Sequence, residues 1–336
     1  MSREHTGLSL RHSRAPSVNV MNPTLGPADP ATMRAYVGTP EGPDLRHVPA
    51  PSPEPGEALV RVGAFSVNRG ELGLFARREE GWRPGQDLAG TVVRAAADGS
   101  GPVAGTRVAA MVDFGGWAEY VAVPTDRIAP LPDTVKVPQA ATLGVAGLTA
   151  LRALRRGGAL LGQRVLITGA SGGVGSFAVQ LAAAAGAEVT ALTGSHRSLD
   201  VAALGARTVI DELGNLEGEF DFIFESVGGE VLTTALKLLA PLGHIVLLGT
   251  SSRLPAALTI SSFVPHVRQT LHPFWVFGSG EPVGGDLSVL LRLMAAGQMD
   301  PVVGWTGSWE RLPEAMEALR ERRVAGKAAL TVDEGA

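Results

Sequence analysis

An α/β chain, with a small antiparallel barrel-like domain followed by a doubly wound parallel sheet, is the fold this sequence predicts, and three observations carry it. From Met33 to Pro132, short apolar alternations (ALVRVGAFSV, DLAGTVVRAA, TRVAAMV, WAEYVAV) are broken repeatedly by Gly and Pro, as strands and tight turns require. From Gln163 the pattern changes to strand, Gly-rich turn, helix, strand: RVLITGA, SGGVGSFAVQLAAAAGA, EVTALTG, then FDFIFESV, EVLTTALKLLA and HIVLLGT. Short apolar runs alternating with longer helical ones mark a parallel sheet covered on both faces. Finally, 336 residues exceed one compact core, so two domains are expected.

The remaining elements follow in order. Residues 1–32 are polar, basic and Pro-rich and are expected to be a flexible leader, with the first strand starting at Met33. VPQAATLGVAGLTALRALRRG has helical spacing and ends in basic residues and a Gly pair, as a helix C-terminus should. SLDVAALGA is expected to be a helix and RTVID a strand. After HIVLLGT come the aromatic stretch HPFWVFGSGEP, the helices DLSVLLRLMAAG and WERLPEAMEALRERRVAG, and a last strand, KAALTV.

Composition narrows the function. A net charge of −4 without any Lys/Arg block leaves no footprint for nucleic acid or an anionic membrane surface, which favours a small-molecule partner. No run of about 18 apolar residues is present, and MSREHTGLSLRHSRAPSVNV lacks the apolar core of a secretory signal, so the expected location is cytoplasmic. With 0 cysteines, disulfides, thiolate nucleophiles and every Cys-containing zinc site are excluded.

The strongest motif is the run from Val165 to Gly175, an apolar strand, a small-residue turn and a helix. A pyrophosphate needs backbone N–H groups at a helix N-terminus and residues small enough to let it approach. Ala170, Ser171, Gly172, Gly173, Val174 and Gly175 provide both, with Ala170 in the first glycine place and Gly172 and Gly175 in the others. An NAD enzyme places a carboxylate on the ribose 2′-hydroxyl at the end of the next strand; here stand Thr193, Ser195, His196 and Arg197. Hydroxyls and a guanidinium suit a 2′-phosphate, so the expected cofactor is NADPH.

GASGGVGSFAVQLA, the preceding GVAGLTALRAL, FDFIFESVGG and LLAPLGHIVLLGT together resemble the zinc-independent quinone oxidoreductase and enoyl reductase branch of the medium-chain dehydrogenase/reductase superfamily, over residues 33–331. The resemblance implies a GroES-like β-barrel catalytic domain from both chain ends, 33–140 and 272–336, with a Rossmann doubly wound NADPH-binding domain, 141–271, inserted. It also implies a substrate cleft between them and a homodimer joined edge to edge through the parallel sheets. Zinc members carry ligands where this chain has Val67 and Asn68, Gly85-Gln86-Asp87, and Gly144 or Val145, so no catalytic zinc is expected. By the same resemblance, Asn68 lies beside the nicotinamide, and Thr149, Gly249, Thr250, Val276, Phe277 and Lys327 surround the cofactor. The implied reaction is hydride transfer from NADPH to an activated C=C bond or a quinone in a small apolar electrophile. The atypical SVNRGELGLFARREEGW raises a biosynthetic enoyl or polyene reductase with coupled cyclisation. Many relatives have a Tyr a few residues beyond the Asn; here Gly70 to Phe75 contain none, and Tyr36 and Tyr120 stand elsewhere.

Competing readings accompany these residues. Asn68 could cap a turn. Glu71, Asp87 and His272 are acid–base candidates if they line a cleft, but surface or structural residues otherwise. Trp82, Trp117, Phe274, Trp275 and Phe277 could wall a pocket or fill a core. Lys327, near Arg322 and Arg323, could be a solvated basic helix end. Two whole-protein alternatives stand beside the reductase: a serine hydrolase using Ser171 in GASGG, with Asp221 or Asp286 and a later His, and a non-catalytic NADPH-binding protein.

Overall fold

The computed structural model describes residues 30–332 apart from 76, 195–198, 215, 217 and 264–267. An antiparallel hairpin opens it, β1 (Thr32–Thr39) on β2 (Gly42–Pro49). β3 (Glu57–Val67), the short α1 (Arg69–Leu72), β4 (Asp87–Arg94), β5 (Arg107–Met111), β6 (Tyr120–Pro124) and β7 (Ile128–Pro130) follow. The chain then passes through α2 (Val137–Ala140) and α3 (Leu148–Arg155) into a second layer.

That layer holds β8 (Arg164–Thr168), α4 (Gly173–Ala184), β9 (Glu188–Leu192), β10 (Thr208–Ile210), β11 (Phe220–Glu225), α5 (Gly229–Lys237), β12 (Leu239–Leu247) and β13 (Thr270–Pro273). Its six strands are all parallel, in the order β10-β9-β8-β11-β12-β13. The order reverses between β8 and β11, which opens a crevice at their carboxyl ends. Val165, Leu166 and Ile167 on β8 are fully buried because helices cover both faces, which is why that strand reads as a continuous apolar run.

After α6 (Val283–Ala295) the chain returns to the first layer through β14 (Val303–Ser308), α7 (Leu312–Arg320) and β15 (Lys327–Thr331), completing a seven-stranded sheet in which β6 pairs with β3 beside the path β14-β15-β3-β4-β5-β7. One edge of β3 pairs with β6 along Glu57–Arg61 and with β15 along Ala64–Val67. A strand with two partners on one edge bends the layer on itself, and Phe65, Trp117 and Trp309 pack inside the bend. The expected division at 271/272 falls inside β13, so Pro273 still belongs to the parallel sheet.

Two expected helices differ. The single helix read from VPQAATLGVAGLTALRALRRG is split by a wider turn at Leu143–Gly147. The N–H of Val145 there donates to the carboxylate of Asp87 (2.7 Å). The helix expected in SLDVAALGA is, over its described residues 199–206, a turn closed by i+3 bonds and ended by Gly205 at φ +106°. Among the described residues no helix is long and apolar enough to cross a membrane.

Candidate active site

The turn between β8 and α4 has a shape that only small residues permit. Gly169 lies at φ +62°, and a Cβ there would come within 2.6 Å of Ser226 Oγ. At Gly175 a Cβ would stand 2.2 Å from the carbonyl oxygen of Gly169 and 2.8 Å from Ala170 Cα. Gly172 caps α4 without a side-chain bond, and the first turn carries no acidic residue. The first intrahelical bond runs from Ser176 N–H to Gly172 O (2.9 Å), which leaves the N–H groups of Val174 and Gly175 for an anion, while the parallel bridge between Gly172 and Gly326 engages that of Gly173. Glu225, fully buried at the end of β11, braces the floor by accepting from Val227 and Gly228 N–H (2.8 and 3.0 Å) and Thr168 Oγ1 (3.1 Å). Burial pushes its carboxyl up from the ordinary value, against those donors. The pyrophosphate of a dinucleotide fits this cradle.

The other expected cofactor residues lie on surrounding segments. Thr193 follows β9 and donates its N–H to Ile210 O (2.9 Å). Ser195, His196 and Arg197 lie outside the described residues. Gly249 and Thr250 follow β12, where Thr250 packs against Gly228, which lies at φ +75°. Thr149 is buried on α3. Val276 is buried and Phe277 half-buried, the latter against the exposed Trp275 (5.6 Å between rings). Arg152 on α3 anchors their segment through Val276 O (3.4 Å), Ser279 Oγ (2.8 Å), the carbonyls of Glu281 and Pro282, and Asp286 (2.8 Å).

Across the crevice stands a buried polar cluster. Asp87 at the start of β4 accepts on Oδ2 from Ser66 Oγ (2.6 Å), Asn68 Nδ2 (2.9 Å) and Lys327 Nζ (3.3 Å). Lys327 also donates to Asn68 Oδ1 at 2.5 Å. The cluster is fastened to the glycine turn, since Gly326 N–H donates to Ser171 O (3.0 Å) and a Cβ at Gly173 would lie 2.9 Å from Lys327 Cδ. Lys327 is therefore a buried residue on β15, which corrects the reading of a solvated helix end.

Asp87 and Glu71 are likewise fully buried, against the surface alternative, whereas His272 is exposed on β13 and outside the cluster. Asn68 caps α1 in a capping box with Glu71, whose Oε2 takes its backbone N–H (2.7 Å), as the turn-cap reading expects, and the same side chain also meets Asp87 and Lys327. Sequence reasoning misses Ser66; its alternation in SVNRG gives it the strand face of an ordinary core serine, and only the pairing of β3 with β4 brings it to Asp87. Of the aromatics, Trp117 is fully buried core, and Trp82 meets Phe75 and Phe114 edge-on (5.3 and 5.7 Å).

Burial first, and the neighbouring Asp87 carboxylate second, push the Glu71 carboxyl up to about 8. The folded protein therefore holds a proton on Glu71 that the unfolded chain, with an ordinary carboxyl value near 4.5, releases. Stability conferred by this group is full below that ordinary value and is lost as pH rises towards about 8. Glu71→Gln is expected to flatten the fall in melting temperature across this window, a change that thermal unfolding at several pH values would read directly. An equal fall in variant and parent would show that Glu71 does not carry it.

Among the described residues the hydrolase constellation does not form. Asp221 pairs with Arg164 (3.1 Å), at the end of β8 away from Ser171, and Asp286 is held by Arg152 and Arg155. A zinc site does not fit either: among the described residues no three His, Cys, Asp or Glu side chains gather, and Asp87 is saturated by four donors, including an ammonium.

Comparison with known proteins agrees with this architecture. Residues 54–133 match the family model for the alcohol dehydrogenase GroES-like domain and residues 173–296 that for zinc-binding dehydrogenases. The chain is 32% identical over 327 residues to the mitochondrial NAD(P)H oxidoreductase RTN4IP1 of Bos taurus, covering 83% of this chain and 82% of that protein. It is 33% identical over 304 residues to the spectinabilin polyketide synthase system protein NorB of Streptomyces orinoci, covering 84% of this chain and 14% of that one. The quinone oxidoreductase of Thermus thermophilus, solved also in complex with NADPH, superposes with a TM-score of 0.77 at 30% identity, covering 89% of this chain and 100% of its own.

Proposed function

We propose, from the premise that this chain belongs to the quinone oxidoreductase branch of the medium-chain dehydrogenase/reductase superfamily, that it is an NADPH-dependent, metal-free reductase of small apolar electrophiles. The acceptor is an activated C=C bond or a quinone. The observation that carries this reading is the fastening of the glycine turn to the Asn68–Asp87–Lys327 cluster, which puts a dinucleotide cradle and an amide side chain on one crevice.

When bound, NADPH supplies the hydride. The first-turn N–H groups of α4 hold its pyrophosphate, and Thr149, Gly249, Thr250, Val276, Phe277 and Lys327 line its path. Ser195, His196 and Arg197 select the 2′-phosphate. Asn68 faces the acceptor and stabilises the oxyanion that develops on reduction, and solvent delivers the proton, because the segment after Asn68 offers no tyrosine. The buried ammonium of Lys327 balances Asp87 where a metal-dependent relative would place its ion, which supports metal-free chemistry. Likeness to NorB supports an enoyl acceptor in a biosynthetic setting, with reduction coupled to ring closure as the finer version. A reduced but uncyclised product from a substrate able to cyclise would contradict that version. The four-residue β13 ends the parallel sheet, and pairing of two such edges is the homodimer we favour.

Oxidation of NADPH against a panel of quinones, enones and enoyl thioesters, with a metal chelator present, tests the reading. Turnover unaffected by chelator, with kcat/KM for NADPH at least about tenfold above NADH, is expected, a difference of about 1.4 kcal/mol. Tight NADPH binding without any turnover would favour a binding protein, and loss of activity to the chelator would favour a metal enzyme.

A further inference from the structure

Arg152 on α3 carries a guanidinium at 1% exposure, and all five of its N–H donors are engaged. Nε donates to Asp286 Oδ2 (2.8 Å), one terminal nitrogen to Ser279 Oγ (2.8 Å) and Val276 O (3.4 Å), and the other to Glu281 O (3.0 Å) and Pro282 O (3.2 Å). Glu281 Oε2 stands 3.3 Å from Nε as an ion pair without a hydrogen bond. Four of the five acceptors lie between Val276 and Pro282, the segment that joins β13 to α6. That segment is irregular apart from one turn closed by Gly278 N–H to Trp275 O (3.0 Å).

Burying a guanidinium with a carboxylate is costly, and well-packed apolar side chains in their place stabilise a fold as well or better, so stability alone does not account for this clamp. The place of the clamped segment in the sheet does. A dinucleotide sets its pyrophosphate at the β8–α4 turn and its adenosine ribose at the carboxyl end of the next strand, β9. In the order β10-β9-β8-β11-β12-β13, the clamped segment follows the strand four places from β9, about 19 Å away at the usual strand spacing. It can therefore meet only the other half of a dinucleotide laid across β8. Thr149, three residues before Arg152 on the same face of α3, is among the residues expected around the cofactor.

We propose that Arg152, braced by Asp286, is a positioning residue that holds Val276–Pro282 in the form that receives the nicotinamide half of the cofactor, an assignment that rests on the reductase reading above. A rigid fork of five donors gives one conformation to a stretch of main chain that has no ladder of its own, which a lysine with its rotatable point charge would not do. A segment fixed before binding spares the cofactor the cost of ordering it, and that gain falls on the nicotinamide half alone. Removing Arg152 strands neither carboxylate, because Asp286 keeps Arg155 (2.5 Å) and Glu281 keeps Arg156 (3.1 Å). The variant Arg152→Met is therefore expected to fold with a looser segment.

Calorimetric titration of the parent and of Arg152→Met tests this, with NADPH and with 2′,5′-ADP, which has the adenosine half and no nicotinamide. Arg152→Met is expected to weaken NADPH binding about tenfold or more and 2′,5′-ADP binding by less than about twofold. Equal losses in the two ligands would mean a general loosening of the fold, and unchanged NADPH affinity would mean that the segment stands clear of the cofactor. Either result overturns the positioning role. If Arg152→Met does not fold, Arg152→Lys takes its place, since it keeps the charge and loses the fork. In that variant a loss of about threefold or more confined to NADPH supports the role, and parental affinity for both ligands, or equal losses in both, contradicts it. A parent protein that binds neither ligand would strike down the reductase reading itself, whereas a parent that binds both, with equal losses in the variant, strikes down the positioning role alone.

Discussion

Asp87→Ala is expected to destabilise the protein by about 3–5 kcal/mol, the range found when one partner of a buried ion pair is removed. The substitution strands the Lys327 ammonium, which is 2% exposed, and withdraws the acceptor from Ser66 Oγ and the Val145 N–H. A loss of that size is a large part of the stability of an ordinary domain. Removing both charges relieves the penalty, so Asp87→Ala/Lys327→Met is expected to recover more than half of it. Urea unfolding of the two variants and the parent near neutral pH measures the difference. A double variant less stable than Asp87→Ala would mean that Lys327 is stabilised by something other than Asp87.

Gly175→Val is the second large effect. The new Cβ would stand 2.2 Å from the Gly169 carbonyl oxygen and 2.8 Å from Ala170 Cα, contacts with backbone that no rotamer relieves. Either α4 slides away from β8 or the turn opens, and both displace the N–H groups of its first turn from the phosphate position. Loss of about 10²-fold or more in NADPH affinity is expected, about 2.7 kcal/mol, with a smaller effect on the first sheet, which lies outside this turn. Titration of the variant with NADPH reads the loss. Unchanged affinity would remove the glycine turn from the binding site.

These two residues show what was legible in the sequence and what was not. Gly175 belongs to a local pattern: strand, turn and helix are contiguous, so the text from Val165 to Gly175 specifies the cradle by itself, and the parallel sheet around it follows from apolar runs that are buried on both faces. The cluster at Asp87 is the opposite case. Ser66, Asn68, Asp87, Val145 and Lys327 come from β3, the start of α1, β4, the Leu143–Gly147 turn and β15, and only the antiparallel pairing of β3 with β4 and β15 gathers them. From sequence, Asp87 and Glu71 read as acid–base candidates or as surface or structural carboxylates, and Lys327 as a residue beside the cofactor or a solvated basic helix end. Three-dimensional pairing removes the surface and solvated-end alternatives by placing the ammonium and the carboxylates where water does not reach. The same cause explains the broken helix at Val145. Its N–H serves Asp87 instead of a preceding carbonyl, a tertiary override that periodicity does not record. The turn at 199–206 is a local miss: Gly205 at positive φ ends the segment before a second helical turn can form.

The most direct test of the central claim is a titration of the purified protein with NADPH and with NADH, followed by the quenching of tryptophan fluorescence, with Trp275 next to Val276 and Phe277 as the expected reporter, and repeated on Arg197→Ala. Saturable NADPH binding that is tighter than NADH binding, and that Arg197→Ala weakens while leaving NADH unchanged, is the predicted result. Absence of quenching by either nucleotide, upheld by calorimetry, would contradict the assignment of this crevice to a nicotinamide cofactor.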